Sequence, residues 1–233
     1  MPEVEPAPEG ARLDANFAGS DAGGYTMHDF LEYVVKDVDA FWSEVWAAAG
    51  YPAPQASYAF PGPGEVSNSK CGPSDDRAAW YCPKDDHIVV SQVMATKIWE
   101  GALKAKGNTD PDLGYPAGDF SVAYAVAHEY AHHLQDELGI IRSSEDERER
   151  FPVYKTELHA DCWAGIWANS TFHRGILEAG DIDEAIKTTL DIGGYNFEDE
   201  KFHGTPEQRR EAFLTGWNSG VPVQCDTYLL SQY

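Results

Sequence analysis

Asp119-Phe120-Ser121-Val122-Ala123-Tyr124-Ala125-Val126-Ala127-His128-Glu129-Tyr130-Ala131-His132-His133-Leu134-Gln135-Asp136-Glu137-Leu138 is the stretch on which the fold turns. Phe120, Val126, Tyr130 and Leu134 recur at helical intervals, Asp119 can cap the first turn and Gly139 supplies a stop, so a helix over 119–138 is expected. Ala123, Ala125, Ala127 and Ala131 are small enough to let another helix come close. His128 and His132 stand at i and i+4, one above the other, and project two imidazoles to the same side. Two imidazoles so placed can clasp one tetrahedral zinc ion. Glu129, one step along, falls beside the metal position, where a general base for a water molecule belongs. Two plain surface histidines would not be flanked by so many apolar residues.

A catalytic zinc takes three protein ligands and keeps a fourth position open. Glu157, 25 positions beyond His132, and Asp161 stand at i and i+4 on the next helical segment. Their spacing offers Glu157 as the third ligand and Asp161 as partner to the free ring nitrogen of His128, which would fix that ring's tautomer. His159 is rotated by about 200° from Glu157 around the helix and cannot share its face. His133 lies one residue off the stripe of His128 and His132. Both are expected to be bystanders.

Outward from this centre, residues 27–49 carry Phe30, Val34, Val38, Phe41, Trp42, Val45 and Trp46 at helical spacing until Gly50 and Pro52 end the pattern. Short apolar runs at 56–60 and 87–90, bounded by Pro, Gly and Asp, read as strands. Further helices are expected at 92 to about 106, 153–169, 181–191 and 206–217, the last with Thr205 as cap and Pro206 in its first turn. Residues 107–118, 142–150 and 193–204 read as loops. The Pro- and Glu-rich residues 1–24 read as a flexible acidic arm, and 25–233 as one domain. The fold class expected is mainly α with a small β-sheet, that is, α+β.

Across 233 residues, 39 Asp and Glu face 17 Lys and Arg, a formal charge of −22. Such a chain repels nucleic acid and anionic membranes. At 42% hydrophobic it still has apolar surface enough to fold. No run reaches the ~18 apolar residues that a membrane span needs. The opening ten residues lack the basic and apolar regions of a signal peptide, so the chain is either cytoplasmic or has shed an export segment. Cys71, Cys82, Cys162 and Cys225 form no Cys-x-x-Cys pair. The tight-loop composition between Cys71 and Cys82 favours a bridge there and another from Cys162 to Cys225, one of three possible pairings. Asp191, Glu198, Asp199 and Glu200 could offer oxygen ligands to Ca2+, but they lack EF-hand spacing, and a solvated acidic face is the favoured reading.

Three stretches together resemble the bacterial putative neutral zinc metallopeptidase family: Ala127 through Gln135, Glu157-Leu158-His159-Ala160-Asp161-Cys162-Trp163-Ala164-Gly165, and His203-Gly204-Thr205-Pro206-Glu207-Gln208-Arg209. Trp80-Tyr81-Cys82-Pro83, Gly180 through Ala185 and Cys225-Asp226-Thr227 extend the likeness over roughly residues 70–228. More distantly, the combination with Glu157 and Asp161 is similar to the gluzincins. The resemblance implies a zincin-like fold with zinc on the active-site helix and an edge strand that receives an extended peptide. It implies His128, His132 and Glu157 as ligands, Glu129 as catalytic base and a peptide or protein substrate. It also brings in His203 and Arg209 as groups that supplement zinc in stabilising an oxyanion. Against that stands a plainer reading, in which His203 caps the last helix and Arg209 pairs with Glu207 or Asp226. Both disulfides gain support from the same likeness, and with them an extracytoplasmic or secreted location. A zinc-dependent peptidase, more narrowly an endopeptidase, is the function expected. The alternatives are a catalytically silent, zinc-containing peptide-binding protein and a zinc hydrolase of non-peptide amides.

Overall fold

A computed structural model of the chain describes residues 26–104, 108, 114–141, 151–199 and 202–230. The expected arm at 1–24, the charged loop at 142–150, half of the loop at 107–118 and Glu200 lie outside the described residues. Among those described, helices dominate: α1 Met27–Ala49, α2 Gln92–Trp99, α3 Asp119–Glu137, α4 Val153–His173, α5 Asp181–Ile192, α6 Pro206–Ser219 and the short α7 Thr227–Leu230. Strands β1 Ser57–Ala59, β4 Ala79–Cys82 and β5 His87–Val90 form a small mixed sheet in the order β1-β5-β4, while β2 Asn68–Ser69 and β3 Gly72–Pro73 pair as a separate ladder. The α+β class is therefore borne out. No described helix is long and apolar enough to cross a membrane.

α1 starts at a capping box in which the Thr26 hydroxyl and the Asp29 carboxylate satisfy each other's backbone donors. It ends on Gly50 at φ 83°. Its stripe of Phe30, Val34, Val38, Trp42 and Trp46 is buried. Trp42 meets Trp163 of α4 with ring centroids 5.4 Å apart, and Phe120 of α3 stacks on Trp167 at 5.7 Å. At the far end of this contact Arg174 forks onto Asp37, with bonds of 2.5 and 2.7 Å. α3 and α4 are thereby clamped side by side, which is what brings their polar faces together.

Three expectations need correction. α2 stops at Trp99 and does not run to about 106, because Gly101 takes φ 64° and its N–H closes onto the Ile98 carbonyl. A Cβ there would stand 2.9 Å from that of Ala117, so the turn is tied to the approach of α3. α3 is capped by Gly118, not by Asp119, which is its first helical residue. Gly139 does end α3, at φ 65°. α4 and α6 also cross closely: a Cβ on Gly165 would meet the Phe213 carbonyl at 2.1 Å, and one on Gly216 the Cys162 carbonyl at 1.8 Å. Finally, β4 is a strand that the sequence reading did not assign. Its four residues pair antiparallel with all of β5, Cys82 opposite His87.

Both disulfides join the expected cysteines, Cys71 to Cys82 and Cys162 to Cys225. The first ties the β2–β3 ladder to β4. The second ties α4 to the segment preceding α7, and so fixes the carboxy-terminal residues against the helix that carries Glu157.

Candidate metal centre

α3 and α4 bring three donor groups to one point. His128 Nε2 and His132 Nε2 are 3.2 Å apart, and the Glu157 carboxylate sets one oxygen 3.2 Å from His128 Nε2 and the other 3.3 Å from His132 Nε2. Donors bound to one tetrahedral zinc at about 2.0–2.1 Å stand about 3.3 Å from one another. The spacing and the chemistry of this donor set therefore fit zinc. Glu157 is buried and His132 partly so, which leaves one side open. Burial opposes ionisation of Glu157, but the two imidazoles overcome it and hold its pKa well below the usual range.

Each imidazole is oriented from behind. His128 Nδ1 lies 2.8 Å from Asp161 Oδ1, and Asp161 is wholly buried. The same carboxylate accepts two bonds of 2.8 Å from the Arg209 Nε and Nη2 and one from the Tyr124 hydroxyl. Burial works against the charge on Asp161, yet Arg209 and His128 keep its pKa below normal. Burial likewise works against a charged His128, but Asp161 and Glu157 outweigh it and lift the imidazole to about 10. The pocket thus holds an excess of negative charge that favours a cation.

His132 is set by Gln135, a residue to which sequence reasoning gave no role. The Gln135 Nε2 donates to the Thr156 carbonyl at 2.7 Å. A carbonyl can only accept, so the amide orientation is fixed, and Oε1 must face His132 Nδ1, 2.9 Å away. His132 therefore carries its proton on Nδ1 and keeps Nε2 free as a ligand. The second Gln135 N–H reaches His159 Nδ1 at 3.0 Å, and His159 Nε2 lies 3.7 Å from Asp226. His159 is no ligand, as expected, but it is not a bystander, since it anchors the amide that orients His132. The missed signal for Gln135 was its place one turn beyond Ala131 on the helix face turned to α4. Tyr124, also missed, stands one turn before His128 on the same face.

Glu129 sits at the edge of the donor set, partly buried. Burial raises its pKa, with the two histidines pulling the other way, which suits a group that must accept and return a proton. Arg209 is buried beneath the ligands, bonded to Asp161 and 3.7 Å from Glu157. It pairs with neither Glu207, which takes the Tyr195 hydroxyl, nor Asp226. Held this way, it cannot face a substrate oxyanion, and that part of the expectation is corrected. His203 is exposed at the rim, near enough to Glu157, His128 and His132 to feel their charge; partial desolvation lowers its pKa.

Two other groups of described residues could hold a metal ion, Asp86 with His133 and Glu137, and Asp119 with Asp181 and Glu184. Neither includes Asp191, Glu198 or Asp199, and Asp191 pairs with Lys187 at 2.9 Å.

Comparison with known proteins adds a family. The model of a family described as putative neutral zinc metallopeptidase matches residues 7–228. Among similar curated proteins, the uncharacterized protein YpfJ of Escherichia coli is 33% identical over 181 residues, covering 70% of this chain and 58% of that protein. The uncharacterized protein Rv2575 of Mycobacterium tuberculosis is 29% identical over 219 residues, 83% of this chain and 68% of that one. The chain thus spans little more than half the length of its YpfJ relative. No solved structure matches significantly.

Proposed function

Since the chain belongs to the putative neutral zinc metallopeptidase family, we propose that it is a zinc-dependent peptidase, an endopeptidase on a zincin-like fold, acting outside the cytoplasm. The observation that carries this reading is the convergence of His128, His132 and Glu157 at 3.2–3.3 Å with Glu129 alongside. When bound, zinc would polarise the scissile carbonyl and lower the pKa of a water molecule to about 7. The chain's own part is acid–base chemistry. Glu129 takes a proton from the attacking water as its oxygen bonds to the carbonyl carbon, then delivers that proton to the amide nitrogen as the C–N bond breaks. Asp161 and Gln135 keep both imidazoles aimed, Arg209 holds Asp161, and His203 at the rim can donate to the developing oxyanion. The two disulfides support an oxidising compartment.

The test is cleavage of quenched peptides and unstructured proteins by zinc-loaded protein, with and without chelator. Glu129→Gln should retain zinc and lose hydrolysis. Undiminished cleavage by that variant would sink the mechanism, and no cleavage by the fully loaded wild type would favour a peptide-binding role.

A further inference from the structure

The helix that carries His128 and His132 holds a third histidine whose surroundings are unexplained. His133 is 0% exposed, and neither of its ring nitrogens has a hydrogen-bond partner. Burying an imidazole in that state is unfavourable, and such a group points to something held beside it. Its ring lies between Tyr81 and Tyr130, with centroids 5.7 and 5.6 Å away. Its Nδ1 faces Asp86 Oδ1 at 3.8 Å, too long for a hydrogen bond. Glu137, at i+4 from His133, shares its helix face. Donor atoms of Asp86, His133 and Glu137 all lie within 4.8 Å of one another.

The carboxylate of Asp86 is held in place. Its backbone carbonyl accepts the Ser57 N–H at 2.8 Å and the Ser57 hydroxyl at 3.1 Å, and the carboxylate itself accepts the Tyr81 hydroxyl at 2.8 Å. Glu137 is exposed. The Asp86 side chain is half exposed, so an ion has a way in from solvent.

We propose that Asp86, His133 and Glu137 form a second divalent-cation site, distinct from the centre at His128. One imidazole with two carboxylates selects a zinc- or manganese-like ion over calcium or magnesium. An ion bonded at about 2.0–2.2 Å to both Nδ1 and Oδ1 bridges their 3.8 Å gap. The site links the turn between β4 and β5 to the carboxy-terminal end of α3. β4 is an edge strand packed on α3, so the ion's role is to hold that edge in register with the helix of the first centre.

The experiment is a zinc titration of chelator-stripped protein against a chromophoric competitor, on wild type, Asp86→Asn/Glu137→Gln and His128→Ala. Because Asp86 and Glu137 are half exposed or exposed, the double variant keeps the fold. Two equivalents are expected for wild type and one for each variant. A double variant that takes up as many ions as wild type overturns the proposal, as does a wild type that takes one while His128→Ala takes none. If His128→Ala keeps the wild-type count while the double variant loses one ion, the present site is supported and the ligand set proposed for the peptidase centre fails.

Discussion

Gln135→Leu isolates the part of the centre that touches neither metal nor substrate. Leucine fills much of the same volume but removes three hydrogen bonds, from His132 Nδ1 and to Thr156 O and His159 Nδ1. At about 1 kcal/mol each, their loss costs about 3 kcal/mol, a fall in Tm of about 6–12 °C for a chain of this size. The more telling effect is on zinc. With Nδ1 unpaired, His132 is free to change tautomer or turn, and loss of such an orienting partner typically weakens metal binding about 10–100-fold. Gln135→Glu separates the two effects. Its carboxylate still accepts from His132, so zinc affinity should stay near wild type, while a carboxylate oxygen now faces the Thr156 carbonyl and stability should fall. Zinc affinity is read by competition with a chromophoric chelator, and stability by thermal melts of metal-free protein. If the leucine variant binds zinc within twofold of wild type, or if both variants lose affinity equally, the orienting role is refuted.

Arg209→Met leaves Asp161 buried without its cation and should cost about 3–5 kcal/mol in urea denaturation; Arg209→Lys, which keeps charge but not the two-bond fork, should cost less, and a methionine variant of near wild-type stability would contradict the pairing. Burial, reinforced by like charges, raises Asp119 to about 6 and Glu184 to about 7. Unfolded, both titrate near about 4, so the folded state binds more protons between those values and stability falls as pH rises from about 4 to 7. Glu184→Gln, which still accepts from the Phe120 N–H, should flatten that decline in Tm; parallel curves would rule the cluster out as its source. The disulfides differ in the loop they close, with sequence separations of 63 and 11 residues. Chain entropy therefore predicts about 4 kcal/mol lost on replacing Cys162 and Cys225 by serine against about 3 for Cys71 and Cys82, and the reverse order in urea melts would show that loop length does not govern them.

What the sequence disclosed and what it hid divide along a physical line. His128 with His132, and Glu157 with Asp161, were legible because each pair lies within one helix, where spacing alone fixes a shared face. The same holds for the stripe of α1 and for Gly139 at the end of α3. Gln135, Tyr124 and Arg209 were harder, because their work depends on how α3, α4 and α6 are rotated against one another, and no spacing within a single helix encodes that. The crossing at Gly165 and Gly216 is of the same kind. Either glycine alone reads as a weak helix position, and only their juxtaposition explains why a methyl group fits at neither. β4 was hidden for a related reason, since Ala79-Trp80-Tyr81-Cys82 is short and becomes a strand through its ladder with β5.

The overall charge of −22 takes on a different meaning at the centre itself. Glu129, Glu157 and Asp161 bring three carboxylates to one region, and among the described residues Arg209 brings a guanidinium, bonded to Asp161 and 3.7 Å from Glu157. With neutral imidazoles, this leaves two negative charges, a deficit that one divalent cation closes. Arg209 is therefore more than a structural cation. Without it the centre would hold three negative charges around a divalent ion, and Asp161 would draw only on His128 and the Tyr124 hydroxyl. Placing the guanidinium behind Asp161, and not beside the ligand atoms, neutralises that carboxylate while leaving both Nε2 atoms and the Glu157 oxygens turned inward. Part of the remaining acidic surplus, seven carboxylates against Lys187 alone, lies over residues 181–200. It bears on the centre only through the rim at His203, where it would favour basic or neutral substrates over acidic ones. Cleavage of a basic peptide should then slow as salt is raised while that of a neutral one holds steady, and equal salt dependence for both would remove the rim from the account.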